Sequence, residues 1–154
     1  MKLMLNGAVT LGTEDGANVE IKELVGSNNI YIFGASSDEV IEKSPSYNPK
    51  EYYNSSAKLK RAVEFITSEG MLKYGNRERL SRIKWNLIQE DPFMTLYDFD
   101  DYKKTKDIMI KDYTERMSWG RKMLVNIANA GYFSSDRTIK EYNEDIWKLS
   151  EVNK

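Results

Sequence analysis

The sequence predicts an α/β chain that is mostly helical: one βαβ unit with two parallel strands, followed by about five helices. Three observations carry this reading. Two short apolar segments near the start are each bounded by turn-forming residues, a helix-compatible segment closed by glycine lies between them, and from residue 44 onward apolar side chains recur at helical spacing.

The first strand is read at Ala8, Val9, Thr10 and Leu11, small or β-branched for the most part and set between Gly7 and Gly12. Gly12 to Gly16 is turn chemistry, and Ala17 to Val25 makes a helix that stops at Gly26. Ile30 to Phe33, between Asn29 and Gly34, is the second strand, so the crossover should be right-handed. Ser36 and Glu39 have capping-box spacing ahead of a helix that ends near Ser44-Pro45. Asn48 followed by Pro49 starts the next, which Tyr52, Leu59, Val63 and Ile66 stripe as far as Ser68 to Gly70. Leu80, Ile83, Leu87 and Ile88 define another, closed by Asp91-Pro92. Tyr102 to Met117, Trp119 to Ile127 and Ile139 to Leu149 supply three more stripes, the last capped by Ser135 or Asp136. Residues 1–43 are thus a βαβ segment and 44–154 a helical segment of a single piece. Two parallel strands do not make a stable sheet alone, which points to the end of a larger α/β domain.

Lys plus Arg number 23 and Asp plus Glu 24, so a net charge of -1 supplies no field to attract phosphate backbones or anionic lipid, and neither nucleic acid nor membrane is an expected partner. The mean hydropathy is -0.63, and the longest apolar run, Ile30 to Phe33, is far below the roughly 20 residues of a membrane span. Asn6-Gly7 interrupts the apolar start before a signal-peptide core can form, so a cytoplasmic location is expected. The chain has no Cys and no His, which removes disulfides, thiolate nucleophiles, imidazole bases and Cys/His zinc cages. Chemistry would have to come from Lys, carboxylates, hydroxyls or a cofactor.

Gly7 to Glu14 has the glycine spacing of a phosphate loop, but Thr13 and Glu14 stand where Lys and Ser/Thr should follow. Backbone N–H groups near Gly12, Gly16 and Ala17 could still face an anion, although a tight turn into a helix is the plainer reading. Asp98, Asp100 and Asp101 crowd one segment, yet a calcium loop would need Gly and Glu where Lys103 and Met109 stand; helix capping and dipole pairing explain them better, and no metal is expected. Trp85, Trp119 and Trp147 fall at helical spacing and are read as core or interface residues.

The opening run from Met1-Lys2-Leu3-Met4-Leu5-Asn6-Gly7 through Thr10-Leu11-Gly12-Thr13-Glu14-Asp15-Gly16-Ala17-Asn18-Val19-Glu20 closely resembles a signature stretch of the glycogen (α-glucan) phosphorylases. Ile32-Phe33-Gly34 resembles the family's next strand. Asn126-Ile127-Ala128, Tyr132 to Ile139, Tyr142 and Ile146-Trp147 resemble its C-terminal helices in order. The likeness is weakest between Ser44 and Leu96.

This resemblance implies phosphorolysis with retention: inorganic phosphate removes a terminal glucose from α-1,4-glucan as glucose 1-phosphate. It implies pyridoxal phosphate as cofactor, with the Schiff-base lysine falling on Lys2 and the cofactor's phosphate taking part in proton transfer. It also implies the C-terminal part of the Rossmann-like, cofactor-binding domain of a two-domain GT-B glycosyltransferase fold, with Gly12 to Asn18 as a turn near the catalytic cleft. Family members are several times longer, so the expectation is a C-terminal fragment, inactive alone and without bound cofactor. The alternatives are a stand-alone, non-catalytic interaction module derived from such an enzyme, and a small pyridoxal-phosphate protein using Lys2. Loss of neighbouring strands beside Val9, Leu11, Ile30 and Ile32 leads to the expectation of a homo-oligomer.

Overall fold

The computed structural model describes residues 1–150, which fold as two compact units, one formed by 1–31 with 109 onward and the other by 32–108. Among the described residues the chain is mostly helical with one two-stranded parallel sheet, as the sequence predicts.

The first unit opens with a single helical turn, α1 (Lys2–Leu5), which the sequence reading passed over. Strand β1 (Leu11–Gly12) and helix α2 (Ala17–Val25) follow, and a 3-10 turn (Ser27–Asn29) leads into β2 (Tyr31–Ile32). Both strands are shorter than predicted. In β1 the ladder begins only after Thr10, whose carbonyl accepts the Tyr31 N–H at 2.9 Å, because Gly7 and Ala8 are spent closing the turn behind α1. Helix α2 ends at Gly26, where φ is +77, as glycine allows. Its buried face is Ile21 and Val25, which join Met4, Ile30, Tyr31 and Ala130 in the apolar interior of this unit. Helix α9 (Arg116–Asn129) runs against α1, α2 and the 3-10 turn. After a 3-10 turn at Ala130–Phe133 comes α10 (Ser135–Tyr142).

Two details of this unit differ from expectation. The cap of α10 is Ser134, whose hydroxyl accepts the Arg137 N–H at 3.1 Å, rather than Ser135 or Asp136. The stripe expected to run to Leu149 stops at Tyr142 and continues as a π-helical turn, Asn143–Trp147, ended by Lys148 at φ +54. The Asn143 side chain then holds Leu149 by two hydrogen bonds, to its carbonyl at 3.0 Å and from its N–H at 2.9 Å.

The second unit contains α3 (Ser37–Lys43), α4 (Pro49–Ser55), α5 (Ala57–Phe65), α6 (Glu69–Leu72), α7 (Arg77–Gln89) and the start of α8 (Phe99–Thr114), whose last residues, 109–114, belong to the first unit. The capping box on α3 forms as the spacing predicts: Ser36 N–H donates to Glu39, and Glu39 N–H to the Ser36 hydroxyl. The single helix expected from Pro49 to the stop at Ser68 to Gly70 is instead two, α4 and α5, and α6 begins at that stop. Ser55 turns its hydroxyl back to the Tyr52 carbonyl, and Ser56 takes extended backbone and caps α5 through the Leu59 N–H, so adjacent hydroxyls compete with the helical ladder. Ser68 does the same for α6. Among the described residues eight α-helices follow β2, against the roughly five expected, chiefly because of these breaks. Met117 also moves from α8 to α9, since Glu115 interrupts the run between them.

The core of the second unit is Leu59, Val63 and Leu96, against which Tyr52, Tyr53, Leu87, Ile88 and Phe99 pack. Beside it Asp91 is only 2 % exposed. Its carboxylate accepts the Tyr47 hydroxyl at 2.6 Å and the Thr95 and Leu96 N–H groups at 3.0 and 2.8 Å, so a buried charge is matched by three donors. Burial, and then the bond to Asp91, push the Tyr47 hydroxyl well above its ordinary pKa.

Candidate functional site

Lys2 stands at the start of α1, and its side chain is exposed. A helix of one turn cannot sustain itself, so the position of this amine depends on what pins the turn. Four contacts do so. Met4 is 1 % exposed beneath the helix, the Asn6 amide donates to the Lys2 carbonyl at 2.8 Å, and the Gly7 and Ala8 N–H groups donate to the Met4 and Leu3 carbonyls. Gly7 has φ +80, and a β-carbon there would lie 3.1 Å from Cε of Met123 and 3.2 Å from Cδ1 of Ile127 on α9. Only glycine suits both that backbone and that approach.

Helix α9 is itself tied down by Asn126, which is fully buried; its amide nitrogen donates to the Asn29 carbonyl at 2.8 Å and to the Lys122 carbonyl at 2.9 Å. Beyond it lies an aromatic cluster. Tyr31 stacks on Trp119 with ring centroids 6.1 Å apart, Tyr113 meets Trp119 edge-on at 5.1 Å, and the Tyr31 hydroxyl donates to Asp112 at 2.7 Å. Burial and the Asp112 carboxylate raise the Tyr31 pKa well above its ordinary value.

Among the described residues Lys2 enters no ion pair, and a primary amine free of competing carboxylates fits the covalent anchor of an aldehyde cofactor. The turn from Gly12 to Asn18 is closed from within: the Asn18 amide donates to the Thr13 carbonyl at 2.9 Å, and a β-carbon on Gly12 would be 2.6 Å from that amide. The Asn18 and Val19 N–H groups already donate to Asp15 and Gly16, so this helix start is a tight turn rather than an open anion cradle.

The acidic cluster is a loop clamp. Asp98 accepts the Ala35 N–H at 2.9 Å and Asp101 the Gly34 N–H at 2.8 Å, while Asp100 and Asp101 lie in the first turn of α8, where the dipole favours them. No group of metal-ligating residues occurs among the described residues. Trp119 is half-buried as expected, whereas Trp85 and Trp147 are 54 % and 49 % exposed. Sequence reasoning names Asn6, Gly7, Met123 and Asn126 only as turn, strand-boundary, helix-stripe and resemblance residues and misses them as supports of Lys2; the Asn6-Gly7 pair, a turn signal, was the available clue to the first two.

Among the described residues no helix is long and apolar enough to cross a membrane. The family model for carbohydrate phosphorylase matches residues 1–149. The chain is 55% identical to maltodextrin phosphorylase of Streptococcus pneumoniae over 97% of its own length and 20% of that protein. It is 42% identical to glycogen phosphorylase of Synechocystis over 99% of its length and 18% of the relative, and 40% identical to the human liver form of glycogen phosphorylase over 97% and 18%. The chain therefore spans about a fifth of the length of these relatives. A match that begins with the pinned lysine turn and continues through the last described helices leaves one conclusion: the chain belongs to the carbohydrate phosphorylase family.

Proposed function

We propose that this chain is the C-terminal portion of an α-glucan phosphorylase, in which inorganic phosphate releases glucose 1-phosphate from α-1,4-glucan, and that Lys2 is the residue bonded to pyridoxal phosphate. The observation that carries the reading is the Lys2 turn, whose amine is exposed and, among the described residues, free of ion pairs while its backbone is held by Asn6 and Gly7. The names of the relatives support it. When bound, the cofactor supplies a phosphate that takes part in proton transfer. The chain's own share is to hold and orient the anchor: Lys2 supplies the nitrogen, and α1 fixes where it sits.

In this reading residues 1–43 continue the Rossmann-like, cofactor-binding domain of a GT-B fold, and the helices among the described residues from 44 onward close it; residues 151–154 of that expected segment lie outside the described residues. Groups that bind the glucan and substrate phosphate would come from outside this chain, so the isolated chain should be inactive and should lack the cofactor. Leu3, Leu5, Leu124 and Ile146 are 75 %, 58 %, 66 % and 63 % exposed, which supports apolar faces that are covered in the working protein and drive self-association in isolation.

Two experiments test this reading. Borohydride reduction of the native enzyme in cell extract, followed by peptide mass spectrometry, should place a pyridoxyl phosphate adduct on Lys2 of a polypeptide several times longer than 17.9 kDa. An adduct on another lysine, or a native product of 17.9 kDa without cofactor, would overturn it in favour of a stand-alone interaction module. The isolated chain should release no glucose 1-phosphate from glycogen and phosphate, and should sediment as an oligomer; monomers at high concentration would count against the self-association.

A further inference from the structure

The face of α9 that meets α1 has a consequence for how the lysine is aimed. Helix α1 carries Lys2 on a turn with only Met4 in the interior, while Leu3 and Leu5 project outward, so the turn has little burial of its own. Its orientation about the chain axis is set where the helix exits, at Asn6 and Gly7. There the Gly7 backbone lies directly under Met123 and Ile127, so close that a single added carbon would stand 3.1 and 3.2 Å from them. Four residues along from Lys122, Asn126 locks the same helix to the carbonyl before Ile30, so α9 cannot slide to accommodate a displaced turn.

We infer that Met123 and Ile127 are positioning residues: pressed on Gly7, they fix the α1 turn and thereby the direction in which the Lys2 amine is presented to its cofactor. The inference rests on the reading of Lys2 as the cofactor lysine. None of the three residues touches the cofactor in this scheme; each acts through the backbone of residues 2–7. The expected signature is a loss of cofactor capture without loss of fold, because trimming Ile127 leaves the rest of the α9 face and the Asn126 lock in place.

The test uses the full-length enzyme carrying this sequence, stripped of cofactor and then reconstituted with pyridoxal phosphate. Ile127→Ala should raise the concentration needed for half-reconstitution by about 10-fold or more, within the roughly 100-fold that a misplacement of about 1 Å can cost. Ile127→Val should recover most of that loss. Gly7→Ala should be more severe, and if it fails to fold the Ile127 pair still decides the question. The secondary structure of the cofactor-free Ile127→Ala protein should match wild type by circular dichroism.

Borohydride trapping separates the two claims. If wild type is labelled at Lys2 and Ile127→Ala captures the cofactor as tightly as wild type, the positioning role is overturned while the cofactor reading stands. If wild type is labelled at another lysine, the cofactor reading fails and the inference falls with it.

Discussion

A β-carbon on Gly34 would stand 2.6 Å from Oδ2 of Asp98, the same carboxylate whose other oxygen accepts the Ala35 N–H at 2.9 Å. The loop after β2 is thus held by a side chain that leaves room only for hydrogen at residue 34, where φ is +88. Gly34→Ala should destabilise the protein by about 2–4 kcal/mol, combining the strain of a left-handed alanine with the loss of the displaced carboxylate's hydrogen bond. Urea unfolding monitored by tryptophan fluorescence would measure it, and a change below about 0.5 kcal/mol, ordinary for an indifferent surface site, would show that the clamp yields freely.

Burial pushes the Asp98 carboxyl above its ordinary range, and Asp101, Asp91 and Glu39 nearby act in the same direction, against the lowering effect of the Ala35 N–H. A carboxyl raised by folding favours the folded state in its protonated form. Its stabilising contribution is therefore complete below the unfolded value of about 3.9 and is lost as pH rises through the folded value. Asp98→Asn should accordingly gain stability relative to wild type between about pH 4 and neutrality. Paired urea midpoints across that window check the sign; a relative loss on raising the pH would contradict it.

Glu39 and Glu64 behave in the opposite sense. The Ser36 backbone N–H holds Glu39 below the usual carboxylate range, and Lys84 with Tyr53 does so for Glu64. Stability linked to these groups is present above the unfolded value and lost as pH falls through the folded one. Acid titration of Glu39→Gln should show a smaller loss than wild type over that fall, measured as the drop in melting temperature.

Asp91 gathers the Tyr47 hydroxyl and the Thr95 and Leu96 N–H groups in a buried site. Asp91→Ala strands these donors and should cost about 3–5 kcal/mol. Asp91→Asn keeps one acceptor oxygen and tolerates φ +34, so it should cost less, although its amide would face the Thr95 N–H. Equal losses in equilibrium unfolding would mean that the charge, not the geometry, matters here.

At Asn126 the order of damage should reverse the usual expectation for an isosteric change. The amide nitrogen donates to two carbonyls, so Asn126→Asp would set a carboxylate against the Asn29 and Lys122 oxygens with no exposure to relieve it. Asn126→Ala only removes the bonds. Aspartate should therefore destabilise more than alanine at neutral pH, and acidification should narrow the gap; thermal melts of both variants at two pH values decide this.

Much of the fold was legible because local rules and tertiary packing agree. Glycine at 26, the Ser36 and Glu39 box, and Asn48 before Pro49 each mark a boundary that forms where the pattern places it. The failures have a common cause. Helix α1 is too short for periodicity and exists because Asn6, Gly7 and α9 hold it, a long-range effect invisible in a window of sequence. The break at Ser56 depends on hydroxyls choosing backbone N–H groups over solvent, which composition alone does not decide. For the site, the resemblance named Lys2, while its supports were hidden in residues that read as an ordinary turn and an ordinary apolar helix face. The carboxylates of Asp98 and Asp101 were read as helix-end groups, and their partners at Gly34 and Ala35 emerged only from the folded chain.

The bond from Asn126 to Asn29 joins residues 97 positions apart, and it closes a unit whose two segments flank everything between residues 32 and 108. During synthesis the lysine turn leaves the ribosome long before the helix that braces it. Until residues near 127 have emerged, α1 has no α9 to pack against and Gly7 no Met123 or Ile127 above it. With Lys2 as the proposed cofactor lysine, capture by the full-length enzyme would be a late event in the life of the nascent chain: ribosome-bound chains halted before α9 should leave Lys2 unlabelled by pyridoxal phosphate, and full-length chains released after it should take up the label.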